Sequence, residues 1–432
     1  MLKINDQLKA EDLGKKIKRL WTLSAAKIRS IERSYDTTKG SPVFTRRGGY
    51  TTRGWTEWTQ GFQYGSALLQ FDATGEREFL ELGRHKTVEL MATHVTNAGV
   101  HDHGFNNVST YGNLLRLMNE GRLARNEWEK NFYELALKCS GAVQARRWTK
   151  IRDSGFIYSF NGPHSLFVDT IRSLRALAVA HRLGHVLMGE NDERISLLER
   201  LLDHARATAI YNLRNGQVAH EAIFNVNDGN FRCPNSQQGF SPFTTWTRGL
   251  AWAMCGFAEQ LEFLASIGET KHERWMLKAA KETCDFYIEN TPIDGIPYWD
   301  TGAPQLHKLG DYLGRPADPF NDFEPVDSSA AAIASQGLLR LGRYLKDERY
   351  WQAGLTVLNT LFEEPYLSPS VKHQGLILHS VYHRPNGWDY VPPGRGVPCG
   401  ESSMWGDYHA REVALYVQRV ARKEPYLTFW GN

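Results

Sequence analysis

The sequence predicts an all-α fold: an (α/α)6 barrel, a toroid of six helical hairpins with a loop-rich cavity mouth. Three observations point there. About a dozen segments carry apolar residues at helical spacing. Short Gly- or Asp-bearing elbows separate several of them, each leading into a charged helix with an early aromatic or aliphatic anchor. Long insertions between the helices hold most of the Pro and His. An open solenoid is the alternative for such a repeat, but irregular spacing and long insertions favour the closed ring. With 432 residues, 41% of them hydrophobic, the chain has ample material for a large core. No Pro/Gly/Ser linker or shift of composition divides it. The expectation is therefore a single domain over 1–432, with 1–40 as a leading helical segment.

Helices are expected near 11–35, 59–72, 78–95, 108–119, 125–140 and 166–187. Six more are expected near 192–209, 245–266, 272–289, 326–345, 348–362 and 404–421. The elbow Thr74-Gly75-Glu76-Arg77-Glu78-Phe79 joins the second to the third, and Asn119-Glu120-Gly121 leads to the fifth and its Trp128. The run from Gly189 to Ile195 opens the seventh, and Gly268-Glu269-Thr270 leads to the ninth and its Trp275. Lys346-Asp347-Glu348-Arg349-Tyr350-Trp351 turns the tenth into the eleventh. The sixth, with Ser165 as its cap, carries the stripe Phe167, Ile171, Leu174 and Ala178. The eighth carries Leu250, Met254, Phe257, Leu261 and Leu264, with Thr244 and Thr245 offering N-cap hydroxyls. The insertions fall at 41–58, 96–107, 148–165, 216–244, 291–325 and 365–403. In a toroid such loops ring the cavity, where function tends to collect. Strand-like pieces, Phe156 to Phe160 and Gly375 to His379, are short.

The net charge of +3 is close to balance, without a basic run, which argues against nucleic acid or an anionic membrane as partner. Five scattered cysteines without CxxC spacing suit a reducing compartment rather than a disulfide framework. No apolar signal segment precedes Arg19, so a cytoplasmic protein is expected, or a periplasmic one if a leader has been removed. Aromatic content is high, with 13 Trp and 18 Tyr, a composition common in carbohydrate-binding clefts.

Chemistry-bearing residues gather at helix starts. Arg248 and Trp252 lie opposite the apolar stripe of their helix at 100° per residue, with Trp246 in the turn before it. Aromatic faces suit sugar rings and guanidinium suits anions, although a second helix could equally cover that face. Asp169 repeats the pattern, about 200° from Phe167, and is also explained by the macrodipole alone. His101-Asp102-His103-Gly104-Phe105 is a dense ionisable cluster before a helix. Its His-x-His spacing can hold a metal, but no further ligand completes a set, so no metal and no cofactor are expected. His181 and His185 lack the glutamate of a zinc-protease helix and are read as structural. His220 and Gln238, followed by the Trp246 stretch, suit sugar hydroxyls.

Together these segments resemble the unsaturated glucuronyl hydrolases, glycoside hydrolase family 88. The pieces that carry the likeness are Trp58-Thr59-Gln60-Gly61-Phe62, His101 to Phe105, Val168-Asp169-Thr170 and Thr245 to Trp252. Asp327 to Ala332, Leu378 to His383 and Trp405-Gly406-Asp407-Tyr408 complete the set, in family order over about residues 50–420. The resemblance implies the (α/α)6 barrel. It also implies a glycosidase acting on the 4,5-unsaturated uronic acid that polysaccharide lyases leave at a non-reducing end. The chemistry implied is hydration of the vinyl ether. The resemblance makes Asp169 the general acid/base and Asp102 the assisting carboxylate, which should raise the pKa of the working acid against the pull of the helix dipole. It makes Trp246 and Trp252 sugar-stacking residues, Arg248 and His220 polar binding residues, and Gln238 an amide contact. Trp58 and Trp148 complete the aromatic wall, and Arg248 is expected to meet the uronate carboxylate.

Two departures bear on substrate choice. Arg172-Ser173 stand where the family commonly has Met-Asn, placing an extra charge at the outer cleft, and Pro392 to Cys399 replaces a shorter loop. The alternatives are an unsaturated rhamnogalacturonyl hydrolase of the same fold, an inverting glycosidase or epimerase on a similar barrel, and a non-catalytic carbohydrate-binding protein. The partner expected in every case is an oligosaccharide, with oligomeric state left open.

Overall fold

The computed structural model describes residues 1–54, 58–152 and 154–431. Among them twelve helices build the barrel. In chain order they begin with α1 (Gly14–Ser34), α2 (Gln60–Thr74) and α3 (Arg77–Leu90). Next comes α4, three consecutive stretches (His103–Asn106, Val108–Gly112 and Asn113–Asn119), followed by α5 (Glu127–Arg146). Then α6 (Thr170–Ser173 and Arg175–Arg182), α7 (Leu197–Tyr211), α8 (Thr247–Ser266) and α9 (Glu273–Asn290) follow. The last three are α10 (Ser328–Leu345), α11 (Glu348–Leu361) and α12 (Met404–Ala421).

Packing closes these into a ring. Helices α2, α4, α6, α8, α10 and α12 each touch the next, and α12 returns to α2. Outside them α3 packs on α2, α5 on α4 and α6, α7 on α6, α9 on α8 and α11 on α10. The leading helix α1 lies against α12 and α2, with Trp21 Nε1 donating to Gln418 at 2.8 Å, and so completes the sixth hairpin. The fold is therefore the (α/α)6 barrel that the periodicity predicts. Its main apolar core runs from Leu2 to Trp430, with a second small cluster of Ile151, Phe156, Leu166, Ala207, Ala222 and Phe224. No helix among the described residues is long and apolar enough to cross a membrane.

Sequence explains which helices lie inside. Those buried on every side carry mostly apolar or small residues, as α8 does from Thr247 to Leu264 and α10 from Ser328 to Gly342, and the few charged side chains among them are paired. The run Ala330-Ala331-Ala332-Ile333-Ala334 and Gly337 let these two approach closely; a Cβ on Gly337 would stand 2.8 Å from the Cys255 backbone nitrogen. Outer helices keep one solvated face and polar caps: Asn126 caps α5, Ser196 caps α7 and Asp347 caps α11.

Two expected caps are corrected. Helix α8 starts at Thr247 with Trp246 as its cap residue, because Thr244 and Thr245 spend their hydroxyls elsewhere: Thr245 Oγ1 accepts from Val218 N at 3.1 Å. Ser165 does not cap α6, for the segment expected to begin that helix forms a strand instead. This strand joins a three-stranded antiparallel sheet. With the strands that precede it numbered in chain order as β1 (Pro42–Arg46), β2 (Gly49–Thr52), β3 (Trp148–Ile151) and β4 (Ser154–Ile157), and two-residue strands left unnumbered, the sheet comprises β5 (Ser165–Phe167), β6 (Glu221–Phe224) and β7 (Phe231–Asn235). The order is β7-β6-β5, with Phe167 paired to Glu221 and Glu221 to Asn235.

Because inner and outer helices alternate along the chain, the six inner helices run in one direction, and their N-termini meet at one end of the barrel. The barrel axis further along is filled by charge rather than by a channel. Arg172 on α6 pairs with Glu259 on α8 and with Glu412 on α12 at 2.8 Å, and Arg175 reaches Glu412 at 3.2 Å. Gln336 on α10 donates to Glu412 at 3.0 Å, and Arg340 pairs with Glu262 at 2.5 Å. This corrects the placement of Arg172 at the outer cleft: it is fully buried in the barrel axis, where its charge is matched by two carboxylates.

Candidate active site

At the end where the inner helices begin lies a cavity of about 330 Å³. Its lining comes from helix starts: Trp58 before α2, Asp102 and Phe105 at α4, Asp169 before α6, and Trp246, Arg248 and Trp252 at α8. Loops add Arg53, Gly54, Val100, His101, Phe160, Gln237, Gln238, Tyr382, His383 and Trp388.

Each acidic residue is held by identifiable contacts. Gly104 lets α4 cross α6 so closely that a Cβ there would stand 2.1 Å from the Ser173 carbonyl oxygen. Ser173 Oγ accepts from Gly104 N at 2.9 Å and donates to the His101 carbonyl at 2.8 Å, while Gln144 on α5 donates to the same carbonyl at 2.7 Å. Thus α5 and α6 fix the backbone beside Asp102. The small sheet places the rest. Asp169 follows β5, His220 precedes β6, Gln238 follows β7, and Val168 N donates to the His220 carbonyl at 3.0 Å. Glu221 ties the sheet together by accepting from Ser165 Oγ, and from Asn235 Nδ2 at 2.6 Å.

The two carboxylates share an imidazole. His101 Nε2 lies 3.2 Å from Asp169 Oδ1 and 3.6 Å from Asp102 Oδ1. Asp102 and Asp169 are only 6% and 8% exposed, so their charges interact with little screening. Burial raises the pKa of Asp102 to about 6, with the Asp169 charge adding and His101 opposing. For Asp169 burial also pushes upward, but the hydrogen bond and charge of His101, with His220 and Arg248, hold it below the ordinary carboxylate range. The expectation of a raised pKa on Asp169 is thereby corrected: the nearby imidazole outweighs the nearby carboxylate. Burial opposes the charged form of His101, yet Asp102 and Asp169 together keep its pKa above the ordinary value.

The other expected residues fall into four positions. Trp58, Gln238, Trp246 and Trp252 face the cavity. Trp58 stacks on Trp405 at 4.9 Å, and Trp252 packs on Phe105 at 4.9 Å. His220 lies one layer behind, edge-on to Trp246 at 4.9 Å. Its Nδ1 accepts from Gln237 N at 2.9 Å, so Nε2 carries the proton, and burial lowers the pKa to about 3. Arg248 lines the cavity but spends its terminal nitrogens on the protein: the Val381 carbonyl, the Tyr382 carbonyl at 2.8 Å, Gln238 Oε1 at 2.8 Å and Asp327 at 3.5 Å, leaving only a buried Nε without a protein acceptor. Sandwiched between Trp246 and Trp405, it organises the wall, in place of the free carboxylate receptor expected of it. Trp148 is not among the lining residues. It lies in the β3–β4 hairpin, paired with Ile157, with the Arg200 guanidinium 3.8 Å from its ring, and its indole packs over Gly155, where a Cβ would stand 2.3 Å from the ring.

The structure adds lining residues that sequence reasoning left without a role. His101 was legible beside Asp102, and Tyr382 and His383 lie within the stretch Leu378 to His383. Phe160, Arg53 and Trp388 sit on insertions whose course no periodicity foretells. The Pro392 to Cys399 loop lies outside the lining; Arg395 in it donates to the Phe320 carbonyl at 2.8 Å.

No family model matches the chain. It is 25% identical over 371 residues to an unsaturated glucuronyl hydrolase of Formosa agariphila, covering 85% of this chain and 81% of that one. This chain is a relative of the unsaturated glucuronyl hydrolases. It is also 25% identical over 374 residues to an unsaturated chondroitin disaccharide hydrolase of Streptococcus pyogenes, covering 83% of this chain and 81% of that one. The crystal structure of the unsaturated glucuronyl hydrolase responsible for degradation of glycosaminoglycan in Bacillus sp. GL1 superposes with a TM-score of 0.73 at 22% identity. That match covers 93% of this chain and 97% of the Bacillus chain.

Proposed function

We propose that this chain is a single-domain glycoside hydrolase that hydrates the C4=C5 vinyl ether of unsaturated uronic-acid-terminated oligosaccharides, the products of polysaccharide lyases. The observation that carries this reading is the buried Asp102–His101–Asp169 cluster, at one end of an aromatic cavity sized for a small saccharide. Trp58, Trp246 and Trp252 offer faces to sugar rings, with Gln238 held by Arg248 for a hydroxyl. The starts of α2, α4, α6 and α8, which line the cavity, favour a negatively charged sugar.

In this mechanism Asp169 delivers a proton to C4, and positive charge develops at C5 and the ring oxygen. Water adds at C5 and gives its proton to the same carboxylate. The hemiketal opens and the remaining saccharide leaves. Asp102 supplies the proton reserve: below about pH 6 it is protonated, and His101 links it to Asp169. The protons held on Asp102 and His101 keep Asp169 able to act although its own pKa in the free enzyme is low.

The sign of the pH dependence follows. The cluster loses its working proton as pH rises through about 6, so kcat/KM should fall about tenfold per pH unit above that point. Asp102→Asn carries no titrating proton and should remove this limb from the profile. A limb that persists unchanged in Asp102→Asn would exclude Asp102 as the reserve. Turnover is read as loss of absorbance of the conjugated alkene across unsaturated disaccharides from several lyases.

A further inference from the structure

The cavity has a cationic side that the reaction scheme does not use. Arg53 follows β2 and contributes to the lining, and it is exposed, whereas Asp102 and Asp169 are nearly buried. The acids therefore mark the deep end and Arg53 the open one. The Arg53 guanidinium lies 4.6 Å from the ring of Trp388 and 5.9 Å from that of Tyr382. Trp388, 39% exposed, is itself packed on Tyr382 at 5.3 Å and on His383 at 4.6 Å. The loop between α11 and α12 thus builds a shelf over which the guanidinium from the loop after β2 rests.

Elimination then singles out this group. Arg248 has given its two terminal nitrogens to Asp327, Gln238 and two carbonyls, and its remaining Nε is buried away from the cavity surface. Burial lowers the pKa of His383 to about 4, with the Arg248 charge adding, so it is neutral. His101 is committed between the two carboxylates. Among the described residues no carboxylate pairs with Arg53, so its five N–H donors remain for a ligand. Aromatic stacking preorganises the fork, and Lys would not reproduce it.

We propose that Arg53, on the shelf of Trp388 and Tyr382, is a subsite for an anionic substituent, sulfate or carboxylate, on the sugar next to the unsaturated uronate. The proposal rests on the functional reading above, which seats the reacting ring against the deep carboxylates and sends the departing sugar toward the mouth. Arg53 then sets substrate preference without touching the reacting atoms.

The test compares kcat/KM of wild type, Arg53→Ala and Arg53→Lys on three unsaturated disaccharides: neutral at the second sugar, sulfated there, and carrying a second uronate there. The expected result is a fall on the order of tenfold in the charged-to-neutral ratio for Arg53→Ala, expressed in KM rather than kcat, with partial recovery in Arg53→Lys. Whether the sulfated or the diuronate arm moves identifies the anion. Unchanged ratios in both arms overturn the proposal. Affinities of the same disaccharides, followed by quenching of tryptophan fluorescence, are compared in wild type and Arg53→Ala. If wild type turns over no disaccharide, the functional reading fails, yet the affinity ratio still decides the role of Arg53: a tenfold fall upholds it and an unchanged ratio removes it.

Discussion

Asp169→Asn is expected to lower kcat on an unsaturated uronic disaccharide by roughly two to four orders of magnitude, the usual contribution of a positioned acid/base. The substitution keeps shape and leaves an amide oxygen to accept from His101 Nε2, 3.2 Å away in the native protein. The cavity wall should survive, because its packing comes from Trp58, Phe105, Trp246 and Trp252. Substrate affinity should therefore hold while turnover is lost, as measured by stopped assays of alkene absorbance beside direct binding. A rate within a few-fold of wild type would remove Asp169 from the chemistry and move the working acid to Asp102.

Arg172→Met is expected to destabilise the fold by about 3–5 kcal/mol, the scale for breaking a buried ion pair by deleting one partner. Arg172 joins Glu259, Glu412 and Gln336 across the barrel axis, and all four side chains are out of solvent. Burial opposes the charge on Glu412, but Arg172 and Arg175 hold its pKa far below the usual carboxylate range. Removing one of the two cations leaves that carboxylate undercompensated. Urea denaturation should show a lower midpoint, and Glu412→Gln combined with Arg172→Met should lose less than the two single effects added together. A stability equal to wild type, with changed substrate preference, would instead return Arg172 to the cleft.

Much of the barrel was legible because its helices repeat apolar residues at fixed spacing and their elbows carry Gly or Asp. The start of α6 was not. The stripe Phe167, Ile171, Leu174 and Ala178 fits a continuous helix, but Ser165 to Phe167 finds a strand partner at Glu221 to Ile223, far away in sequence. Local periodicity cannot weigh such a distant partner. The same limit applies to the site. Asp102, Asp169, Trp58, Trp246 and Trp252 sit at helix starts, which sequence marks, and the barrel gathers those starts at one end. The commitment of Arg248 to the carbonyls of Val381 and Tyr382 depends on the path of a long loop. So does the Arg53 shelf, which needs Trp388 brought from more than three hundred residues away. Trp148 shows the converse: an aromatic residue near the right segments whose hairpin carries it to Arg200 instead.

The central claim is that the acid cluster adds water across C4=C5 instead of displacing the leaving group directly at C1. Turnover in D2O, with the product examined by proton NMR and mass spectrometry, tests it most directly. Hydration delivers solvent deuterium to C4 and removes the alkene signal in step with release of the second sugar. Release of that sugar with the alkene intact and no deuterium at C4 would contradict the account.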